Sequence, residues 1–206
     1  ITIPDNVTVD TKGNDINIAE DVVLTVDGKL DVTENGTVTN NGVVDISESG
    51  SVENESGSTF NNKGNVNNDG TFNNNAGSTL NNESGAEIGG SQPISNGGDI
   101  NNDGNIKTTV ENTEYGRVDA EVTWTDKDGN EHSGSLKDVL EYLKENPEEA
   151  SGAKVELNKD VEVTEPLEVP SGVELSVPDG TKLEVKPEGT LDNNGTVSVE
   201  EGGSLD

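Results

Sequence analysis

Aliphatic side chains returning every six or eight residues, Asn/Gly-rich turns between them and a single amphipathic helical stripe predict a mainly β protein. The expected architecture is two parallel β-helix (β-solenoid) segments with a small α+β cap between them. The recurring residues are Leu24, Leu30, Val38, Val44, Val52, Phe60, Val66, Phe72, Leu80, Ile88, Ile94, Ile100 and Ile106. Steps that short leave no room for helices joined by loops, and each suits one short strand followed by a corner. Three successive steps span 20 residues from Leu24 to Val44, 22 to Val66, 22 to Ile88 and 18 to Ile106. The repeat unit is therefore a three-faced coil in which each strand pairs with the equivalent strand one turn later.

Residues 1–110 form the first, Asn/Gly-rich β-helix segment. Asn tolerates a positive φ and bonds its own backbone, so the Asn residues 61, 62, 67, 68, 73, 74, 81, 82, 101 and 102 are expected at stacked corners, their amides bonding along the stack. With one apolar residue per face, the interior should be narrow. Residues 111–153 have ordinary globular composition and form the cap. Val118–Thr125 alternates as a strand, Asp128-Gly129 signals a turn, and Ser135 with Asp138 opens a helix whose stripe is Leu136, Val139, Leu140 and Leu143, closed by Pro147. Such a helix would cover the first coil that follows it. Residues 154–206 return to strand and turn, from Val155 and Leu157 to Val199 and Leu205, with Pro170, Pro178, Pro187 and Gly172, Gly180, Gly189, Gly195 at corners. The pattern of Ile1–Val9 reappears at Leu167–Leu175 and that of Gly36–Gly42 at Gly189–Gly195, so this segment is expected to be a truncated tandem module.

Composition limits the function. The net charge is -30, from 42 Asp plus Glu against 12 Lys plus Arg, which repels nucleic acid and anionic lipid. The same charge keeps an edge-rich β structure soluble and monomeric. Only 27% of the residues are hydrophobic, close to the composition of disordered chains, yet a disordered tract has no reason to keep a period. There is no Cys, so neither disulfides nor thiolate chemistry is available. No apolar run is long enough to insert in a membrane, and with no leader and no Met the sequence is expected to be a piece of a longer tandem array.

Trp124, the helix Leu136–Leu143 and the run from Val155-Glu-Leu157 through Val161-Glu-Val163 to Leu167-Glu-Val169-Pro170 resemble a module common in bacterial surface proteins. The residues before Ile106 are similar in style to the repeats of filamentous haemagglutinin-type adhesins. The resemblance implies a right-handed, pectate-lyase-like β-helix and a secreted, cell-surface or cell-wall location. The chain departs from that pattern in lacking an Ala-rich helix start and in its longer link from Asn146 to Lys154.

No catalytic or metal-binding residue is expected, no cofactor is implied, and no ligand-binding residue is assigned. The single Arg117 and single His132 lie apart from the main aliphatic ladders, where a lyase would need a basic group beside its carboxylates. Asp126-Lys-Asp128-Gly129-Asn130 opens like a calcium loop, but position 137 is Lys where a bidentate Glu belongs, so a hairpin turn is expected. His132 is read as a surface residue and Trp124 as core of the cap. Asn6, Asn35 and Asn194 stand in glycosylation sequons that Asn/Thr-rich sequence produces freely. The leading expectation is a structural stalk or spacer in a large adhesin-like protein whose other regions contact host or cell-surface glycan or protein. The alternative is a binding module that recognises glycan or protein along one face. An ice- or surface-binding solenoid would require regular Thr-x-Thr arrays on one flat face, and in the linear sequence Thr and Asn mix without such a file.

Overall fold

The computed structural model describes residues 1–206, of which 49% are in strands and 7% in helices. The chain divides into two compact units, Ile1–Asp119 and Ala120–Asp206.

The first unit is a parallel β-solenoid whose chain visits three faces in rotation. The first face holds Thr2–Ile3, Val23–Val26, Val43–Ile46, Asn65–Asn68, Glu87–Gly89 and Asn105–Ile106. On the second lie Thr8–Asp10, Lys29–Val32, Ser51–Asn54, Thr71–Asn74, Ile94–Asn96 and Val110–Asn112. The third is built from Asp15–Ile18, Thr37–Asn40, Thr59–Asn62, Thr79–Asn82, Asp99–Asn102 and Arg117–Ala120. Register follows the aliphatic ladder: Leu24, Val44, Val66, Ile88 and Ile106 stack on one another, as do Val38, Phe60, Leu80 and Ile100. The ladder also begins earlier and ends later than its obvious period, since Ile3, Ile18 and the partly buried Val9, Ile16, Val110 and Val118 join the same core.

Each four-residue strand turns two side chains inward, not one. The second and fourth residues share a side because side chains alternate along a strand. The second is aliphatic or Phe, whereas the fourth is Val26, Val32 or Ile46 in early coils and Asn in most others. Asn40, Asn54, Asn62, Asn68, Asn74, Asn82, Asn96 and Asn102 are at most 1% exposed. The expectation of corner asparagines is thus corrected. The only non-glycine residues with positive φ are Asn6, Lys12, Glu34 and Asn35, and the Asn-Asn pairs lie in extended strand, one amide in and one out. The corners fall to glycines. A Cβ on Gly42 would strike the Val22 carbonyl, and one on Gly64 would strike that of Gly42 in the preceding coil.

The second unit opens with an antiparallel hairpin, Val122–Thr125 with Glu131–Gly134, turning through Gly129 at φ 86°. Val122–Thr125 also pairs antiparallel with Lys154–Leu157, from which parallel coils continue through Glu174–Val177 and Thr196–Val199. Two further faces are Val161–Val163, Lys182–Val185 and Ser204–Leu205, and Pro166–Val169 with Thr190–Asn193. The helix runs Leu136–Glu145 with Ser135 as N-cap, its side chain accepting the Asp138 N–H at 3.1 Å. Its buried stripe of Leu136, Val139, Leu140 and Leu143 joins the aliphatic core of these coils, at about 2 kcal/mol per side chain. Pro147 does not merely stop this helix but begins a second turn, Pro147–Ala150, where its missing N–H costs nothing.

Candidate functional site

Two files of amides run inside the first unit, buried except for the exposed Asn112 at the end of one. On the third face Asn40 donates to Asn62, Asn62 to Asn82 and Asn82 to Asn102, each Nδ2 to Oδ1 at 2.8 Å. On the second face Asn54, Asn74, Asn96 and Asn112 form the same chain at 2.8, 2.9 and 2.7 Å. The second amide proton goes to a backbone carbonyl 25 residues on for Asn40, Asn54, Asn62 and Asn74, which reach Asn65, Thr79, Glu87 and Asp99. A carbonyl only accepts, so this bond fixes which end of each amide faces which coil. The files make polar side chains tolerable in a dry interior, where an unpaired amide costs several kcal/mol. At the start of the second-face file Asn54 Oδ1 has no partner, because the residue beneath it is Val32. On the first face Asn68, stacked above Ile46, gives both protons to the Gln92 and Pro93 carbonyls and leaves its Oδ1 unpaired.

The outer surface of the third face differs chemically from the rest of the acidic chain. Its first strand positions read Asp15, Thr37, Thr59, Thr79 and Asp99 from coil to coil, and its third positions Asn17, Thr39, Asn61, Asn81 and Asn101. Thr37, Thr59 and Thr79 therefore form a file in register, beside a second file of Thr39, Asn61, Asn81 and Asn101. On this face a Thr-x-Thr pair occurs only at Thr37 and Thr39, as the sequence leads one to expect, but the first positions form an ordered threonine file that the linear sequence does not display. Asn101 donates to Asn81 and Asn81 to Asn61, both at 2.8 Å. The hydroxyls of Thr37, Thr39, Thr59 and Thr79 have no hydrogen-bond partner within the chain. The two outward files from Thr37 to Asn81 contain no charged side chain, and two ion pairs border them, Lys63–Glu83 at 3.0 Å at the strand ends and Asp99–Arg117 at 2.8 Å on the next coil. By contrast the outer positions of the first face include Asp45, Glu87 and Lys107, and those of the second Asp10, Lys29, Asp31, Glu53 and Glu111.

The residues singled out elsewhere fall into separate places. Asp126 anchors the hairpin turn as expected, accepting from the backbone N–H groups of Asp128 and Asn130 at 2.9 and 2.8 Å and from Asn130 Nδ2 at 2.8 Å. Burial alone would raise its pKa, but these bonds and a fourth to His132 outweigh that and hold the carboxyl well below the usual range. The His132 side chain is only 8% exposed, not a surface residue as its sequence suggests. Its ring lies 4.3 Å from that of Trp124, and Tyr142 packs on the other aromatic contact at 5.8 Å, so Trp124 is core as expected. The sequon residues Asn6, Asn35 and Asn194 are exposed. A hollow of about 250 Å³ lies between the helix and Pro166–Leu167, and the 2.6 Å Lys144–Glu168 ion pair lies along it. No helix is long and apolar enough to cross a membrane.

No known family profile matches the chain, and no curated protein matches it. Of what the sequence resemblance implies, the structure bears out the parallel β-solenoid.

Proposed function

We propose that the chain is a non-catalytic spacer, a stalk region of a secreted bacterial cell-surface protein that holds some other binding region away from its anchor. The supporting observation is the unbroken in-register stacking of the first unit, where coils are joined by backbone bonds on three faces and, from Asn40 onward, also by side-chain amide hydrogen bonds inside. Stiffness then comes from repetition, and further coils add length without a larger core. The acidic exterior suits the role, since it suppresses lateral association of exposed sheets. The basic groups a lyase would need are committed elsewhere, Arg117 to Asp99 and His132 to Asp126 beneath Trp124.

A second reading, a module that binds glycan or protein along one face, is favoured by the uncharged outer surface of the third face. Presentation of the full chain to an array of glycans and matrix proteins separates the two. A spacer gives no saturable signal, whereas a binding module gives at least one that disappears when a single face is altered.

A further inference from the structure

We propose that the Thr/Asn outer face of the first unit is an ice-binding surface that adsorbs to the lattice of frozen water. The inference goes beyond the spacer reading, and a chain that ignores ice can still be a spacer.

Four features of this face select the ligand. First, in a chain of net charge -30 the two outward files of this face, Thr37, Thr59, Thr79 and Thr39, Asn61, Asn81, carry no charge, and the Lys63–Glu83 pair that adjoins them at the strand ends is mutually neutralised at 3.0 Å. An anionic ligand would be repelled by the surrounding carboxylates and a cationic one would find no counter-charge on the face, which leaves an uncharged ligand. Second, the face carries no aromatic ring. Phe60 and Phe72 are both in the interior, so the stacking platform that a sugar ring needs is missing.

Third, the face is periodic in two directions. Successive coils repeat at about 4.8 Å, and the two files lie about 6.7 Å apart along each strand. A parallel sheet locked by ladders inside and outside stays flat, so the files do not fan apart. Thr χ1 is stiff, and each free hydroxyl both donates and accepts. Such a grid joins a hydrogen-bonded lattice of water whichever way the lattice protons point, while the Thr methyl groups shed disordered water. Charged side chains would keep hydration shells of their own and break that match. Fourth, the patch measures only about 14 Å by 13 Å, far below the roughly 800 Å² per partner of a stable protein complex. A second copy or a host protein is therefore a poor occupant, whereas an ice front needs only repeated surface contact.

The test takes the full chain and measures its partition into ice grown slowly from buffer, together with inhibition of ice recrystallisation. The parent chain should concentrate in the ice and keep the grains small. Thr59→Lys, in the middle of the face, should abolish both effects. Thr71→Lys, which adds the same charge on the second face, should leave them at the parent level. Asn61→Asp is nearly isosteric and should reproduce the loss if Thr59→Lys disturbs folding, with matched thermal melts for the variants compared. Exclusion of the parent chain from ice overturns the proposal, and so does equal partition of the Thr59→Lys and Thr71→Lys proteins. Binding to microcrystalline cellulose or chitin, with exclusion from ice, overturns it in favour of a neutral polysaccharide and supports the second functional reading.

Discussion

The two units wind the same kind of coil around different interiors. In the first, aliphatic residues at the second strand position alternate with amides at the fourth, and the amides pair from coil to coil. In the second the equivalent position is aliphatic in most strands, at Leu157, Val163, Val169, Val177 and Val185, with Asn193 above Val169 exposed, and a helix supplies additional apolar cover. The backbone ladder fixes the register in both, so interior chemistry is free to vary provided neighbouring coils agree. A buried amide is fully bonded only where a neighbouring coil offers it a partner, and Asn54 above Val32 and Asn68 above Ile46 each leave an oxygen unpaired, while a valine tolerates any apolar neighbour. The first unit itself passes from one regime to the other, from Val32 to Asn54 on the second face.

That rule is best broken by moving an amide to the wrong unit. Leu175 is fully buried between Val155 and Val197. Leu175→Asn should cost about 4 kcal/mol, from lost apolar transfer plus an amide with no partner. Trp124 is the only tryptophan and sits in this unit, so guanidinium unfolding followed by its fluorescence reads the loss directly. An unchanged midpoint would show that the second interior accepts isolated polar groups.

Asn62→Asp tests the first interior. The new carboxylate oxygen would face the Asn82 Oδ1 and the Glu87 carbonyl, both acceptors, so its folded pKa must rise above its unfolded value. The variant should be close to the parent below about pH 4 and weaken as pH rises, losing about 3 kcal/mol by neutrality. Far-UV circular dichroism melts at pH 3.5 and 7 measure the difference. A loss independent of pH would mean that the amide acts by shape alone.

Asp126→Ala removes four hydrogen bonds to one carboxylate and should cost about 2 kcal/mol at neutral pH. The native carboxyl has a lowered pKa, so its contribution is complete above the unfolded value of about 4 and is shed as pH falls toward the folded value. The gap between parent and variant should therefore narrow in acid. Fluorescence-detected unfolding at both pH values checks this.

The smallest effect belongs to Asn54→Val, at the seam between the two regimes. Asn54 Oδ1 is already unpaired, Val32 lies beneath, and Asn74 Oδ1 keeps its 2.8 Å bond from Ser78. Asn74 Oδ1 gives up one of its two donors and the Thr79 carbonyl loses its side-chain partner, for a net loss of about 1 kcal/mol. A loss as large as that of Asn62→Val would show that the file acts as one cooperative unit.

The helix was legible in the sequence because Ser135 and the Leu136–Leu143 stripe are local signals, and so was the hairpin at Asp128-Gly129. The burial of His132 was not, because it depends on Trp124 across the hairpin and Tyr142 on the helix. The inward asparagines carried a weak signal. They occupy the same place, two residues past the aliphatic ladder, as Val26, Val32 and Ile46. Asn propensity for turns masked it.

The sequence by itself determined the coil: aliphatic residues returning every six or eight positions, with glycine-rich turns between them, bury so little apolar surface only by stacking short strands. Only the tertiary structure decided which of two adjacent asparagines faces the core and which threonines share a file. Successive coils on the third face take 22, 22, 20 and 20 residues, and the differences are absorbed at corners. Residues equivalent in space therefore keep no constant spacing along the chain, and the backbone bonds between coils are what align them.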